Sequence, residues 1–260
     1  MFDENFFKIF NESQPSEQKP EATNDVEEID FERKPFVLSV GGSLVAQEKP
    51  NAAFIGKFSE KIKELWAEGY RFAIVVGGGA ICRNYIAAAK ALGAENYSAD
   101  ALAIRVTRVN AMLLIQGLER AYPDVLENIF DSKKVLSAGM IPVYGGLLPG
   151  ITTDCVAALL AEFLGATFIN LTNVDGVYSS DPKENPRAKF YPEISHERLI
   201  SLISVAESKP GQNVVMDLPS CLVLKRSRIP AIILNGNDLD NFASAIRGMP
   251  FKGTKVCENA

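Results

Sequence analysis

The chain has 260 residues, 47% hydrophobic and 23% charged, with a formal net charge of −5. That length buries a substantial core without disulfide or metal staples, and the four cysteines (Cys82, Cys155, Cys221, Cys257) show no CxxC pair or zinc-type spacing. No apolar run approaches the roughly 18 residues of a membrane span, and the start lacks a basic stretch before an apolar core, so a cytoplasmic protein is expected.

Residues 1–34 carry ten acidic side chains against four basic ones, leaving 22 acids and 23 bases in the remainder. They form an acidic extension, rich in Ser, Pro, Glu, Gln and Lys from Asn11 onward, with the composition of a disordered segment. Phe2, Phe6, Phe7 and Phe10 alone suggest an aromatic stripe on a short helix. The body, 35–260, is nearly neutral and gives no support for nucleic-acid binding.

The body opens with FVLSV at 36–40, a strand, and GGS as a tight turn. Apolar residues recur at helical spacing from Phe54 to Trp66. FAIVV at 72–76 is a second buried strand, followed by Gly77-Gly78-Gly79 and a helix through Tyr85 and Ala89. Another helical pattern runs from about Ala99 to Glu119. IPVY at 141–144 is a third strand, with Gly145-Gly146 behind it. A helix over 154–164 leads to the strand at Ile169–Leu171, and a helix–strand–helix set surrounds AIILN at 231–235. Apolar strands alternating with helices predict an α/β fold, a parallel sheet covered on both faces. The single histidine, His196, falls at a helix start, where a surface position is expected.

Such sheets bind ligands at the carboxyl edge of their strands. Three strands here end in glycine pairs or triplets, whose backbone N–H groups can crowd around anionic oxygen. There is no GxxxxGK[ST], and GGGAIC is not GxGxxG, so a P-loop protein and a dinucleotide dehydrogenase are both disfavoured. An anion-lined pocket without histidine pairs or clustered metal ligands suits phosphoryl transfer, which needs positioning and charge neutralisation. The candidate charges are Arg83, in the first turn of the helix after the triplet, and Asp154, Asp175, Asp181 and Lys183. Asp154 follows Thr152-Thr153 and serves equally well as a plain helix cap.

GGS at 41–43, VVGGGAICRNYI at 75–86, TRVNAML at 107–113, GGLLPGITTDCVAALLAEFLGA at 145–166, TNVDGVYSSDPK at 172–183 and the closing GT at 253–254 together resemble the amino acid kinase superfamily. More narrowly, they resemble the archaeal-type uridylate (UMP) kinases, over essentially Pro35 to Val256. The resemblance implies a three-layer αβα sandwich with a mainly parallel sheet, usually in a homohexamer, that converts UMP to UDP with ATP. Mg²⁺ enters with the nucleotide, and no resident metal site is implied. Carried over by motif, Gly41 and Gly42 approach the transferring phosphoryl group. Gly78, Gly79 and Arg83 hold the UMP phosphate, and Asp100 meets the ribose or base. Gly145, Thr152 and Thr153 line the acceptor region, while Asp154 orients the groups around the transition state. Thr172, Asn173, Asp175, Tyr178, Asp181 and Lys183 form the ATP side, with Lys183 the principal catalytic cation.

The chain departs from the family pattern at four places. Ser39 and Ala80 stand where lysines are common, and Leu147 and Ile151 replace a threonine and a histidine. These departures leave two other readings open: a kinase of the same superfamily with another acceptor, and a nucleotide- or oxyanion-binding homologue that does not catalyse.

Overall fold

The computed structural model describes residues 34–182, 185–207 and 215–258. The acidic extension up to Arg33, with its phenylalanines, lies outside the described residues, as does Lys183.

In chain order the elements are β1 (Phe36–Val40), α1 (Gly42–Val45), α2 (Ala52–Ala67), β2 (Phe72–Val76), α3 (Gly79–Ala91), α4 (Asn96–Gly117), α5 (Ser132–Ser137) and β3 (Val143–Tyr144). They continue with α6 (Thr153–Leu164), β4 (Thr167–Thr172), β5 (Val177–Tyr178), β6 (Phe190–Tyr191), β7 (Glu193–Ser195) and α7 (His196–Glu207). The last are α8 (Leu218–Arg226), β8 (Ala231–Asn235), α9 (Leu239–Ile246) and β9 (Thr254–Cys257). The seven-stranded sheet has the order β3-β2-β1-β4-β8-β9-β7. Its first five strands run parallel, β9 is antiparallel to β8, and β7 runs parallel to β9. β5 and β6 form a separate hairpin.

The alternation of the pleat builds the layers. Val37 of β1 joins one core with α5, α6, α7 and α8, while Leu38 and Val40 join the other with α1, α2, α4 and α9. Phe58, Phe72, Phe168 and Phe242 are fully enclosed; each such side chain contributes about 1.5–3 kcal/mol by leaving water. The central strands are thereby held rigid, and their carboxyl ends deliver the loops after β1, β2, β3 and β4 to one edge.

Four local expectations change. Gly42–Val45 is not a plain turn but one turn of helix, because Ala46 N–H reaches the Gly42 carbonyl. The third strand shrinks to Val143–Tyr144; Ile141 is a single bridging position, and the Pro142 carbonyl accepts the Ile74 N–H at 2.9 Å. α3 begins inside the glycine triplet, at Gly79, so Arg83 is its fifth residue, beyond the first turn. His196 does open a helix, but it is buried, and its Nε2 donates to the Ile229 carbonyl at 2.9 Å. The loop between α8 and β8 passes over that helix start and supplies a partner that local sequence does not display.

Candidate active site

The first two glycine loops touch backbone to backbone. A Cβ on Gly42 would lie 2.0 Å from the Gly79 nitrogen and 2.6 Å from the carbonyl carbons of Gly77 and Gly78. No side chain fits there, so the glycines are required by packing. Gly78 is in the right-handed region (φ −83°, ψ −32°) and Gly79 in the left-handed one (φ 69°). Successive residues of that kind turn their N–H groups into a concavity that receives anions. Neither the Gly78 nor the Gly79 N–H has an intramolecular acceptor among the described residues. Gly41, on the other side of the same contact, packs against the Leu171 carbonyl at the end of β4.

Asp154 stands beside these loops, at the second position of α6. Thr152 caps that helix by accepting the Cys155 N–H at 3.1 Å, and Thr153 Oγ1 approaches Gly77. The ambivalent Thr-Thr-Asp sequence therefore divides its work: Thr152 caps, and Asp154 turns inward. Ser39 of β1 donates its hydroxyl to Asp154 Oδ1 at 2.6 Å. Asp154 keeps intermediate exposure, yet protein surrounds its carboxylate closely enough to push its pKa up to about 6. Burial is the main cause, the negative charge of Asp217 adds to it, and the Ser39 hydrogen bond works against it. A carboxylate in this state is short of positive charge, and a site that takes cationic or metal-bearing phosphate groups supplies it.

Asp217 could not be recognised from the sequence. It caps α8 through the Ser220 N–H at 2.7 Å, and its second oxygen accepts the Thr152 hydroxyl. The N-termini of α6 and α8 are thus joined by one carboxylate.

Asp100 of α4 accepts the Gly150 N–H at 2.9 Å, which brings it to the loop after β3. Gly145 packs against Thr107 and the Arg108 backbone of α4. Arg83 is exposed on α3, and no shared hydrogen bond draws it to Asp154. Of the two aliphatic departures in this loop, Leu147 packs onto the core beneath, whereas Ile151 is 37% exposed.

On the other side, Thr172 is the last residue of β4, and Asn173 is exposed in the loop behind it. Asp175 pairs with Lys252 at 2.6 Å and accepts from Asn235 at 3.1 Å, which together hold its carboxyl below the usual range. It walls an open polar cleft of about 470 Å³ shared with Asn235, Asn237, Lys57 and Lys252. Tyr178 sits in β5 with its ring 5.1 Å from Phe190. Asp181 follows, half-buried, its carbonyl accepting the Asn185 N–H. The closing Gly-Thr has a structural explanation: Thr254 Oγ1 accepts from Val177 N–H at 2.8 Å and donates to the Tyr191 carbonyl at 2.6 Å, pinning the hairpin that carries Tyr178.

Among the described residues no group of three or more His, Cys, Asp or Glu side chains could hold a metal ion. What the edge offers is a concavity of free backbone N–H groups, a desolvated carboxylate, and polar loops on either side.

A mainly parallel sheet with glycine loops and a desolvated carboxylate at its carboxyl edge suits a small-molecule kinase without a P-loop. The amino acid kinase family model matches residues 34–235, and the chain belongs to that family. It is 42% identical over 223 residues to a uridylate kinase of Pyrococcus abyssi, covering 85% of this chain and 98% of the relative. A uridylate kinase of Natronomonas pharaonis is 40% identical over 226 residues, covering 86% and 99%. The crystal structure of the uridylate kinase from Archaeoglobus fulgidus superposes with a TM-score of 0.77 at 38% identity, over 86% of this chain and all of that one.

Proposed function

We propose that this protein transfers the terminal phosphoryl group of ATP to UMP, giving UDP and ADP. The observation that carries the reading is the Gly78–Gly79 anion cradle set against Gly42 and beside Asp154, at the open edge of a parallel sheet. The similarity to uridylate kinases over most of both chains supports UMP as the acceptor.

An ionised oxygen of the UMP phosphate attacks the γ-phosphorus, the bond from that phosphorus to the bridging oxygen breaks, and ADP leaves with the electron pair. No general base is required, since the acceptor is already deprotonated at neutral pH. Gly78, Gly79 and Arg83 hold the acceptor phosphate; Asp100, Gly145, Thr152 and Thr153 complete the acceptor side. Gly41, Gly42, Thr172, Asn173, Asp175, Tyr178, Asp181 and Lys183 serve ATP. Asp154 orients the donors around the transferring group, a role that its hard oxygen donors fit when Mg²⁺ arrives on the nucleotide. Bound Mg²⁺ offsets phosphate charge. A homo-oligomer, hexameric as the resemblance implies, a cytoplasmic location, and a division into an acidic extension (1–34) and a kinase domain (35–260) complete the proposal.

A coupled ADP-release assay across nucleoside monophosphates, acetylglutamate, carbamate and isopentenyl phosphate tests the reading. UMP is expected to be preferred, and Lys183→Ala is expected to lower turnover by roughly a hundred-fold, the usual effect of losing one transition-state charge contact. No turnover of any monophosphate would end the proposal.

A further inference from the structure

α4 passes beneath both acceptor loops, and its buried polar side chains are spent on their backbones. Asn110 is 5% exposed, and its Nδ2 donates to two consecutive carbonyls, Gly77 at 2.9 Å and Gly78 at 3.1 Å. Thr107, one turn earlier on the same face and 6% exposed, accepts the Gly146 N–H at 2.7 Å and donates to the Ile104 carbonyl at 2.7 Å. Arg108 adds an Nε bond to the Gly146 carbonyl at 3.3 Å and is itself held by Glu127 at 2.5 Å.

The consequence lies in the planarity of the peptide. In a trans peptide the carbonyl of one residue and the N–H of the next point in opposite directions. With the Gly77 and Gly78 carbonyls drawn toward Asn110, the N–H groups of Gly78 and Gly79 must face away from α4. The Gly79 nitrogen does border Gly42. Glycine peptides otherwise flip readily, since nothing in the side chain opposes it. The cradle is therefore oriented from behind by the Asn110 amide, which is the side chain that holds both carbonyls, while the Cys82 N–H adds a longer bond to the Gly78 carbonyl at 3.4 Å.

We infer that Asn110 is a positioning residue for the acceptor phosphate, fixing the direction of the Gly78 and Gly79 N–H groups, and that Thr107 does the same for the loop after β3. This deepens the reading above and rests on it. Neither side chain touches substrate. Their effect is to supply an anion site that needs no reorganisation when UMP arrives, which matters more here because Ala80 brings no cation to the loop.

The experiment is steady-state kinetics of the full chain with UMP and ATP varied separately, alongside calorimetric titration of UMP. In Asn110→Asp, a carboxylate repels the two carbonyls at high pH, whereas its protonated form donates to one of them. The expected result is a UMP KM raised by about ten-fold or more, the scale set by losing two hydrogen bonds to buried groups, with the ATP KM within about two-fold of wild type. Recovery of UMP affinity as pH falls is also expected, and general misfolding would not produce it. Thr107→Val, which keeps shape and removes the acceptor, is expected to raise the UMP KM selectively even if the Asp variant folds poorly. Unchanged UMP KM in both folded variants, or an equal rise for both substrates, overturns the inference and leaves the UMP kinase reading standing. A wild type that neither binds nor phosphorylates UMP sinks both.

Discussion

Asp154 is the residue on which opposing effects meet. Burial favours its neutral form, and the Ser39 hydroxyl favours the charged one; burial prevails, lifting the pKa from 3.8 to about 6. Because the folded pKa exceeds the unfolded one, the folded chain binds the extra proton between those values. Stability is then highest below about pH 4 with respect to this group and is lost as pH rises through about 6. Above that, the ionised carboxylate is a standing cost of about 1–2 kcal/mol, less than the full shift implies because the group keeps some solvent contact. Asp154→Asn keeps an acceptor for Ser39 and removes the charge. It is expected to be more stable than wild type by that amount at pH 8, while losing nearly all turnover. Urea midpoints at pH 8 and pH 5 check this, and an equal difference at both would contradict it. Ser39→Ala removes the hydrogen bond that favours ionisation, so the acidic limb of kcat/KM should move to higher pH by roughly half a unit to one unit.

The same carboxylate is coupled to a neighbouring element through Asp217, which joins the starts of α6 and α8. Asp217→Asn leaves a carbonyl oxygen to cap α8 through Ser220 but withdraws a negative charge that raises Asp154. The acidic limb of the pH–rate profile is expected to move to lower pH, opposite to Ser39→Ala, with little change in melting temperature. Asp217→Ala also loses the cap and should cost about 1–2 kcal/mol in a denaturant titration. Such a link is not readable in sequence, where Thr152 and Asp217 stand 65 positions apart and each looks like an ordinary helix cap. The elements themselves were legible: FVLSV and FAIVV are apolar enough to require burial on both faces, and glycines mark where those strands end. Asn110 and Thr107 fit the helical repeat of α4 so well that periodicity alone gives no sign of what they bond to. His196 misleads for a related reason, since its partner arrives from the loop before β8. Local pattern places a residue on an element, and the sheet order decides whom it meets.

At the scale of the molecule, one element is poorly explained by the single chain. α3 reads GAICRNYIAAAKA, largely apolar, yet its only buried residue is Cys82. Tyr85 is 52% exposed, Leu92 at its C-cap 89%, and Tyr97 in the first turn of α4 71%. A soluble helix normally turns an apolar stripe to its own core. α3 packs on α4 and leaves alanines and large side chains uncovered, as expected of a surface that meets another protein surface. Small residues allow close helix approach, and a second copy offers the same face, so a two-fold contact closes on itself. The uncovered face runs along α3, the helix whose first residue is Gly79 of the cradle. Self-association through this face would then bear on the loop that carries Gly78 and Gly79. Light scattering on the full chain is expected to give a mass several times the 28.3 kDa of one copy. Leu92→Glu combined with Tyr97→Glu places like charges on the uncovered face and should yield smaller species. If the contact steadies α3, the UMP KM of that variant rises while its melting temperature depends on protein concentration less than that of wild type. A wild type that is monomeric at micromolar concentration, or a double variant of unchanged mass, would show that α3 is not the assembling face.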